Sequence, residues 1–440
     1  MSAINALDGS SVAKPPILGL RRLLGRTAAL SGLSLAGQAI YLVALPLLSH
    51  LFTPTAVGLF TLYLSAVNIA GPLVGGRFEA ALFGLRDRGE RRLVLALALL
   101  SSLCVAPILA AFLLGLAPHL NGNLRLFLTG LWPILPLGFA LSGFWAATSA
   151  WAISEDALSV LAWARFIQPA ILAALQVLCG MQHLPASSLI VAHVASHAAF
   201  SGFILWRTLS YSDVRSMLRT SRAALVRRAV ADWHFPAFAM PAFLVVTLVA
   251  NAPPILMGGL YGAAFAGQYG IAYRVVTGPL SILCQPLGQI FLSEAGQGGV
   301  ARTRGAARFA FILSLVVAFP VLIIGLMAPR LSLVILGPEW TTAGAIMAAL
   351  AAMGAAQAIA APFAEVPSLL RRPKLRLIVD AIQGVLFFAP LAVGTSAGWD
   401  PISTIWLMAA GGALGYSAGA VLTLNMLRLA MKADARKMAP

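Results

Sequence analysis

The residue with the clearest chemical potential in this 440-residue chain is an arginine inside an apolar stretch. Arg274 lies about two and a half turns into the stretch 265–291, too deep to reach either edge easily. An ionised side chain at such a place is costly unless it faces a polar cavity or finds a partner. A planar guanidinium suits phosphate because it can engage two oxygens together. Arg274 is therefore a candidate ligand for a phosphate, with a structural bond to a carboxylate or to helix-end carbonyls as the alternative.

Further polar residues within or beside apolar stretches are candidates for the same binding path. Arg77 is placed to contact a phosphate, and its alternative role is anchoring at the membrane interface. Neutral polar side chains can line a polar path without the cost of a charge, although helix–helix hydrogen bonds are an equally ordinary use for them. The neutral candidates are Gln38, Asn251, Gln285 and Gln289.

Two carboxylates are candidates for coupling to a cation. Asp380 and Glu79 lie in or beside apolar stretches, and burial can raise the pKa of a carboxyl group toward working pH. Asp380 also follows Arg376 by four residues, so a structural ion pair on a helix is its alternative. On a continuous helix Arg77 and Glu79 diverge by about 200°, which predicts that they do not pair.

Several classes of chemistry lack their residue patterns. The three cysteines lie singly without CxxC spacing and the six histidines are scattered, so we expect no metal, disulfide or cofactor. No loop combines a hydroxyl, a histidine and a carboxylate, which argues against an enzyme. The chain also lacks the GxxxxGK[ST] phosphate-binding loop. Any process that needs energy would then draw it from an ion gradient, the membrane potential or a substrate gradient rather than from nucleotide hydrolysis.

The elements that position these residues are predicted to be membrane helices. Hydrophobic residues make up 60% of the chain and charged residues only 10%, with a mean hydropathy of +0.89. Soluble domains carry about 25% charged residues. Apolar stretches long enough to cross about 30 Å of hydrocarbon recur from end to end. Twelve spans are predicted: 27–49, 55–75, 93–117, 126–147, 165–181, 187–206, 235–259, 265–291, 307–328, 341–365, 377–396 and 402–427.

The positive charge is sorted between alternate gaps of these spans. Of the 30 Lys and Arg residues, 27 fall on one side, only Arg125 and Arg330 fall on the other, and Arg274 lies within a span. Lys and Arg are retained in cytoplasmic loops, so both termini are predicted to be cytoplasmic. The net charge of +16 indicates contact with anionic lipid headgroups rather than with nucleic acid.

The spans divide into two halves around the longest polar segment. We predict an all-α membrane protein with a cytoplasmic segment 1–26, a six-helix lobe 27–206, a linker 207–234, a second six-helix lobe 235–427 and a tail 428–440. The halves are predicted to be parallel repeats.

A trace of the duplication survives at the second helix of each half. Gly58 pairs with Gly267 and Phe60 with Tyr269, each at an offset of 209 positions.

Several segments carry a specific resemblance. They are Pro46 to Pro54 with Val57 to Phe60, Gly76-Arg77-Phe78-Glu79-Ala80-Ala81, Phe235 to Pro241, Gly267-Gln268-Tyr269, and Gln285 to Phe291. In order and placement they resemble the Wzx-type flippases of lipid-linked oligosaccharides, within the multidrug/oligosaccharidyl-lipid/polysaccharide exporter superfamily. The loop 84–92 departs from that family, because it is strongly basic where family members often have an acidic, lysine-containing stretch.

The resemblance implies two six-helix lobes around a central cavity in a bacterial inner membrane. The implied cargo is a polyprenyl-pyrophosphate-linked oligosaccharide, moved by alternating access for surface or exopolysaccharide synthesis. H+ or Na+ are the implied coupling ions, and polysaccharide polymerase or export machinery the implied protein partners. A cation-coupled multidrug-type exporter of the same superfamily is one alternative. A major-facilitator transporter is another, because Asp87-Arg88-Gly89 resembles part of the facilitator loop motif.

Overall fold

The computed structural model describes residues 17–131, 133–296, 300–364, 366–370 and 373–437. Within those ranges the regular structure is helical, and no strand occurs. The helices are α1 (Ile17–Leu51), α2 (Pro54–Val74), α3 (Arg88–Leu116), α4 (Gly122–Leu131), α5 (Leu135–Ser154), α6 (Leu158–Met181), α7 (Ser187–Thr208), α8 (Tyr211–Leu218), α9 (Arg222–Ala231), α10 (Met240–Tyr261), α11 (Ala263–Gly296), α12 (Val300–Ile335), α13 (Thr341–Ala360), α14 (Val366–Leu369), α15 (Pro373–Ser396) and α16 (Pro401–Lys437).

Local sequence signals account for several helix boundaries. The Thr53 hydroxyl accepts a bond from the Ala56 backbone N–H, and Pro54 occupies the first turn of α2, where a missing N–H is tolerated. The Asp87 carboxylate caps α3 by accepting from the Glu90 N–H at 2.8 Å. Ser210 begins α8 with a reciprocal capping box that includes Asp213. These caps satisfy backbone donors that a helix start leaves unpaired.

The membrane-spanning character of the helices is confirmed, while the count of twelve spans stays a prediction. In the part of the chain that the structure describes, nine helices are long and apolar enough to cross a membrane, or up to ten if α4 and α5 form one bent span. All twelve predicted stretches overlap helical residues. The stretch 126–147 was predicted as one helix but forms α4 and α5 at 78° to each other. Pro136 lies in the first turn of α5, where a proline fits a helix start better than a helix interior.

Three polar segments contain more helix than their composition suggested. The predicted linker 207–234 includes α8 and α9, and α1 already begins at Ile17. The last helix, α16, continues to Lys437, beyond its predicted end at 427.

The helices form two groups that meet mainly through four helices. In the first group α1 packs on α6, α3 on α5, and α7 on both α5 and α6. In the second group α13 packs on α11, α12 and α16, while α15 packs on α16. The two groups meet where α2 lies against α10 and α11 and where α1 touches α11. One apolar core continues across this boundary and includes Phe60, Tyr63, Tyr269 and Trp340.

The closest approach between the groups is a crossing of α2 and α11 at glycine. A Cβ atom on Gly58 would lie 1.7 Å from the Ala263 carbonyl oxygen, and one on Gly267 would lie 2.0 Å from the Pro54 carbonyl oxygen. Neither position has room for a side chain. Gly58 and Gly267 are also the residues that the offset of 209 paired. The two glycines that the predicted duplication pairs therefore lie in contact, while the duplication itself stays a prediction.

One end of the helices, which we name the basic end, holds a network of arginines and carboxylates. Arg92 Nη1 lies 2.7 Å from Asp213 Oδ1, and Arg88 Nε lies 3.0 Å from Glu155 Oε2. Arg228 Nε lies 2.7 Å from Asp232 Oδ2 and also approaches Glu90. Hydrogen bonds with the Ser210 backbone N–H and hydroxyl, together with the charges of Arg88 and Arg92, hold the pKa of Asp213 below its ordinary value. These contacts attach α8 and α9 to α3.

The opposite end, which we name the neutral end, joins the two groups without ion pairs among the described residues. The His50 imidazole Nε2 is 2.9 Å from the Ile335 carbonyl oxygen. The Trp340 indole N–H donates to the Ser49 carbonyl at 2.9 Å, and the Asn121 amide donates to the Gly259 carbonyl at 2.7 Å. The groups are therefore held together at this end by hydrogen bonds as well as by the glycine crossing.

Adding a methyl group at the crossing should destabilise the protein. We expect Gly58→Ala to lower the free energy of unfolding by about 1–3 kcal/mol, the usual cost of overpacking. The added methyl group would overlap the Ala263 backbone of α11. The measurement is the thermal unfolding temperature in detergent. Gly202→Ala is the matched control, since a Cβ at that position of α7 meets nothing within 4 Å. Equal unfolding temperatures for the two variants would show that the crossing is not closely packed.

Candidate functional site

Arg274 lies where the two helix groups meet. Its Nη1 donates to the Tyr41 hydroxyl at 3.4 Å, and its guanidinium carbon lies 5.5 Å from the centre of the Phe60 ring. Tyr41 belongs to α1 and Phe60 to α2, so an arginine of the second group contacts two helices of the first. In the described ranges no carboxylate forms a salt bridge with Arg274. The carboxylate alternative for this residue therefore finds no support there.

The position of Arg274 follows from the glycine crossing. Arg274 lies seven residues after Gly267, which is about two helical turns and so places both on one face of α11. The same face holds Gly267 against α2. Because a guanidinium over an aromatic ring gains about 0.5–2 kcal/mol, Phe60 stabilises the arginine without neutralising it.

Phe60 also belongs to a group of rings that we name the aromatic cluster, made of Phe60, Tyr63, His193 and His197. The His193 ring packs edge-on against Phe60 at 6.1 Å and against Tyr63 at 5.4 Å between ring centres. The Tyr63 hydroxyl lies 3.4 Å from His193 Nδ1, and the His197 ring centre lies 4.0 Å from that of His193. The histidines were predicted to be scattered. Their i,i+4 spacing in α7 was the signal that could have revealed the pair.

The neutral candidates occupy different places. Asn251 on α10 accepts from the Asn68 amide of α2 at 3.0 Å and donates to the Thr247 carbonyl at 2.9 Å. This arrangement is the helix–helix hydrogen bond expected as its alternative role. Gln38 is exposed on α1, three residues from Tyr41, so the two share a helix face.

The remaining candidates are only partly described. Gln285 and Gln289 lie in α11 between Arg274 and the basic end, and their side chains are outside the described residues. Asp380 is exposed on α15, which packs on α16. The side chain of Arg376 is outside the described residues, so its pairing with Asp380 stays a prediction.

The prediction that Arg77 and Glu79 do not pair was wrong. Arg77 Nη1 lies 3.1 Å from Glu79 Oε1. The prediction assumed a continuous helix, but α2 ends at Val74, and Gly76 and Arg77 adopt φ values of 59° and 58°. The left-handed backbone and the 3-10 turn Phe78–Gly84 that follows bring the two side chains together. The Arg77 guanidinium also covers the Phe243 ring of α10 at 4.2 Å.

Glu79 is a buried carboxyl group near the basic end. It is 6% exposed, and burial raises its pKa while the Arg77 guanidinium opposes that rise. The net direction is upward because the loss of hydration outweighs the single partner. Glu79 is thus suited to hold a proton closer to neutral pH than an exposed glutamate. In the described part of the chain, no three His, Cys, Asp or Glu residues are arranged to hold a metal ion.

Comparison with known proteins gives one family and one fold. Residues 47–345 match the family described as polysaccharide biosynthesis protein. The teichuronic acid biosynthesis protein TuaB of Bacillus subtilis (strain 168) is 26% identical over 260 residues, which is 54% of this chain and 53% of that protein. The match thus spans about half the length of that relative.

The solved structures with a similar fold are transporters. An inward-facing multidrug resistance MATE family transporter of the MOP superfamily has a TM-score of 0.66 at 16% identity, covering 91% of this chain and 96% of the other. The outward-facing form of a transporter of that description scores 0.54 at 14% identity, covering 93% and 96%. This likeness shows the fold.

The raised pKa of Glu79 leads to a pH-dependent stability difference. A carboxyl whose folded-state pKa is raised adds stability that is fully present below its unfolded value and is lost as pH rises through the folded value. Glu79→Gln keeps the neutral form at every pH. We therefore expect the variant to unfold about 1–3 °C above the wild type at pH 8 and at the same temperature near pH 4.5.

Thermal unfolding in detergent across that pH range measures the difference. Glu90→Gln is the control, because the Glu90 side chain is largely exposed and should show no such trend. A Glu79→Gln variant less stable than the wild type at pH 8 would contradict the expectation and show that the ion pair outweighs burial.

Proposed function

The chain belongs to the polysaccharide biosynthesis protein family, and we propose that it is a flippase for a polyprenyl-pyrophosphate-linked oligosaccharide. The observation that carries this proposal is the position of Arg274 between the two helix groups, bonded to a tyrosine hydroxyl rather than to a carboxylate. A cation held in this way can exchange its weak neutral partner for an anion.

The cargo sets the physical requirement. Its lipid tail can remain in the bilayer, but its pyrophosphate and sugars must cross about 30 Å of hydrocarbon. An ionised phosphate in that medium is strongly disfavoured unless it is paired and hydrogen-bonded. Arg274 can engage two phosphate oxygens at once, and the adjacent Tyr41 hydroxyl can donate a further bond. Gln38, Gln285 and Gln289 are proposed to line the sugar path, with Arg77 near its entrance and Asn251 beside it.

The proposed orientation places the basic end in the cytoplasm. The proposed topology has twelve spans in two six-helix lobes around a central cavity, with both termini on the cytoplasmic side. Retention of Lys and Arg in cytoplasmic loops supports this orientation. The membrane would be the inner membrane of a bacterium, and the product a surface or exopolysaccharide. Anionic lipids would contact the basic end, and a polymerase or export complex would receive the cargo.

The conformation described here is proposed to be the one that accepts cargo from the cytoplasm. The lobes touch at the neutral end through the Gly58–Gly267 crossing and through the Trp340–Ser49 bond. The higher similarity to an inward-facing than to an outward-facing transporter supports this assignment. Export would then separate the neutral ends and close the basic ends around α2 and α11.

The driving force is also a proposal. A membrane potential that is negative inside favours outward movement of an anion, by about 2.3 kcal/mol per charge for each 100 mV. Exchange for H+ or Na+ is the other source, and Glu79 and Asp380 are the proposed coupling carboxylates.

A second candidate is a cation-coupled exporter of small molecules. The MATE fold favours it. However, the permanent charge of Arg274 at the meeting of the lobes disfavours positively charged substrates, which leaves neutral or anionic molecules.

Transfer of a labelled glycolipid tests the proposal. Proteoliposomes are prepared with a fluorescent polyprenyl-pyrophosphate-linked oligosaccharide, and its movement between leaflets is followed by quenching with membrane-impermeant dithionite. We expect Arg274→Ala to lower the rate at least about tenfold, since a hydrogen bond to a charged group contributes about 1.5–3 kcal/mol. Arg274→Lys should retain part of the activity, because it keeps the charge but loses the two-oxygen geometry.

Arg125→Gln is the matched control, since the Arg125 side chain is exposed on α4 and is not among the residues proposed to contact the cargo. All variants must elute as folded protein in size-exclusion chromatography. Wild-type transfer by Arg274→Ala would remove this residue from the mechanism. Failure of the wild type to move the glycolipid, with active extrusion of a small molecule, would favour the second candidate.

A further inference from the structure

The histidine pair of the aromatic cluster is the strongest group of titratable side chains that the proposed mechanism does not use. His193 is 5% exposed and His197 follows it by one turn of α7, with ring centres 4.0 Å apart and planes inclined by 34°. His197 Nδ1 is buried and forms no hydrogen bond of standard geometry with a described residue, and the polar group nearest to this ring is the His193 backbone carbonyl one turn before it. A buried polar atom without a partner costs about 1–3 kcal/mol, so its retention calls for a ligand.

We propose that His193 and His197 form a proton-binding site whose occupancy is coupled to the binding of a phosphate-bearing headgroup at Arg274. The headgroup part of this inference rests on the proposed function, whereas the proton site itself does not. Two imidazoles at this separation hold at most one proton between them, because like charges so close in a buried site repel strongly.

The link to Arg274 passes through one aromatic ring. Phe60 contacts the His193 ring on one side and lies under the Arg274 guanidinium on another. A proton on the pair therefore adds a second positive charge to a cluster that already holds a permanent one. With no anion present, Coulomb repulsion opposes that proton.

The surrounding charged and titratable groups are few. From α2 the pair faces Tyr63, whose hydroxyl approaches His193. Across the lobe boundary lie Arg274 and Tyr41. The helix α5 contains no charged residue, and α6 contains only Arg165, three residues before Gln168, whose amide donates to Ser196. No carboxylate belongs to this set, so an incoming phosphate would be its only negative charge.

The direction of the coupling follows from these charges. A phosphate bound at Arg274 neutralises the guanidinium and attracts a proton to the pair. By linkage, a proton on the pair strengthens phosphate binding by the same factor. The bound headgroup would therefore have a proton beside it, which lowers the net negative charge of the occupied site.

Proton uptake on binding tests the coupling directly. Farnesyl pyrophosphate serves as the probe and is added to the full-length protein in nanodiscs at pH 6 in weak buffer with an indicator dye. We expect the wild type to take up about one proton per protein more than the double variant His193→Gln/His197→Gln. His234→Gln is the control, because His234 is exposed and should behave as the wild type. Equal uptake by the wild type and the double variant would overturn the coupling.

A second measurement examines the proton site without the probe. The chain has six histidines, so nitrogen NMR of histidine-labelled wild-type protein is tractable even if the double variant fails to fold. We expect the ring-nitrogen resonances of His193 and His197 to move together in a single titration step between pH 4 and 8. We also expect them to shift again when the probe is added. Two resonances that titrate independently, or not at all, would overturn the shared site.

The outcomes separate this inference from the proposed function. Glycolipid transfer without additional proton uptake would overturn the inference and leave the flippase intact. Proton uptake on probe binding in a protein that moves no glycolipid would support the inference and overturn the flippase.

Discussion

The structure depends on one close crossing of two helices. Gly58 and Gly267 remove the side chains that would hold α2 and α11 apart, so the backbones of the two halves touch. The proposed phosphate site lies within a few turns of this crossing: Arg274 two turns along α11, Phe60 two residues along α2, and Tyr41 on the adjacent α1. Small residues at a helix crossing let the two backbones approach closely.

Electrostatics separates the ends of the molecule from its middle. The basic end binds its arginines to carboxylates of Asp213, Glu155 and Asp232, so those charges serve structure and orientation. Arg274 has only a hydroxyl and a ring face for partners among the described residues. An arginine in a salt bridge is satisfied, whereas one that is held weakly is available to a ligand. That difference in partners distinguishes Arg274 from Arg88, Arg92 and Arg228.

The sequence predicted the helical class and the positions of most membrane helices, because hydrophobicity and charge are sorted by the bilayer. It also singled out Arg274, whose role stays a proposal. The sequence alone could not predict contacts between residues that lie far apart in the chain. Tyr41 lies 233 residues from Arg274, and no local pattern links them. The Arg77–Glu79 pair was missed because two residues of positive φ break the helix on which the prediction relied. The histidine pair was missed because spacing shows which residues share a helix face but not which faces meet.

The most direct measurement of the central claim is a structure of the protein with a polyprenyl pyrophosphate bound. The account predicts that phosphate oxygens lie about 3 Å from the Arg274 guanidinium, with the Tyr41 hydroxyl turned from the arginine toward the phosphate. A pyrophosphate bound elsewhere, with the bond between Arg274 and Tyr41 intact, would contradict it.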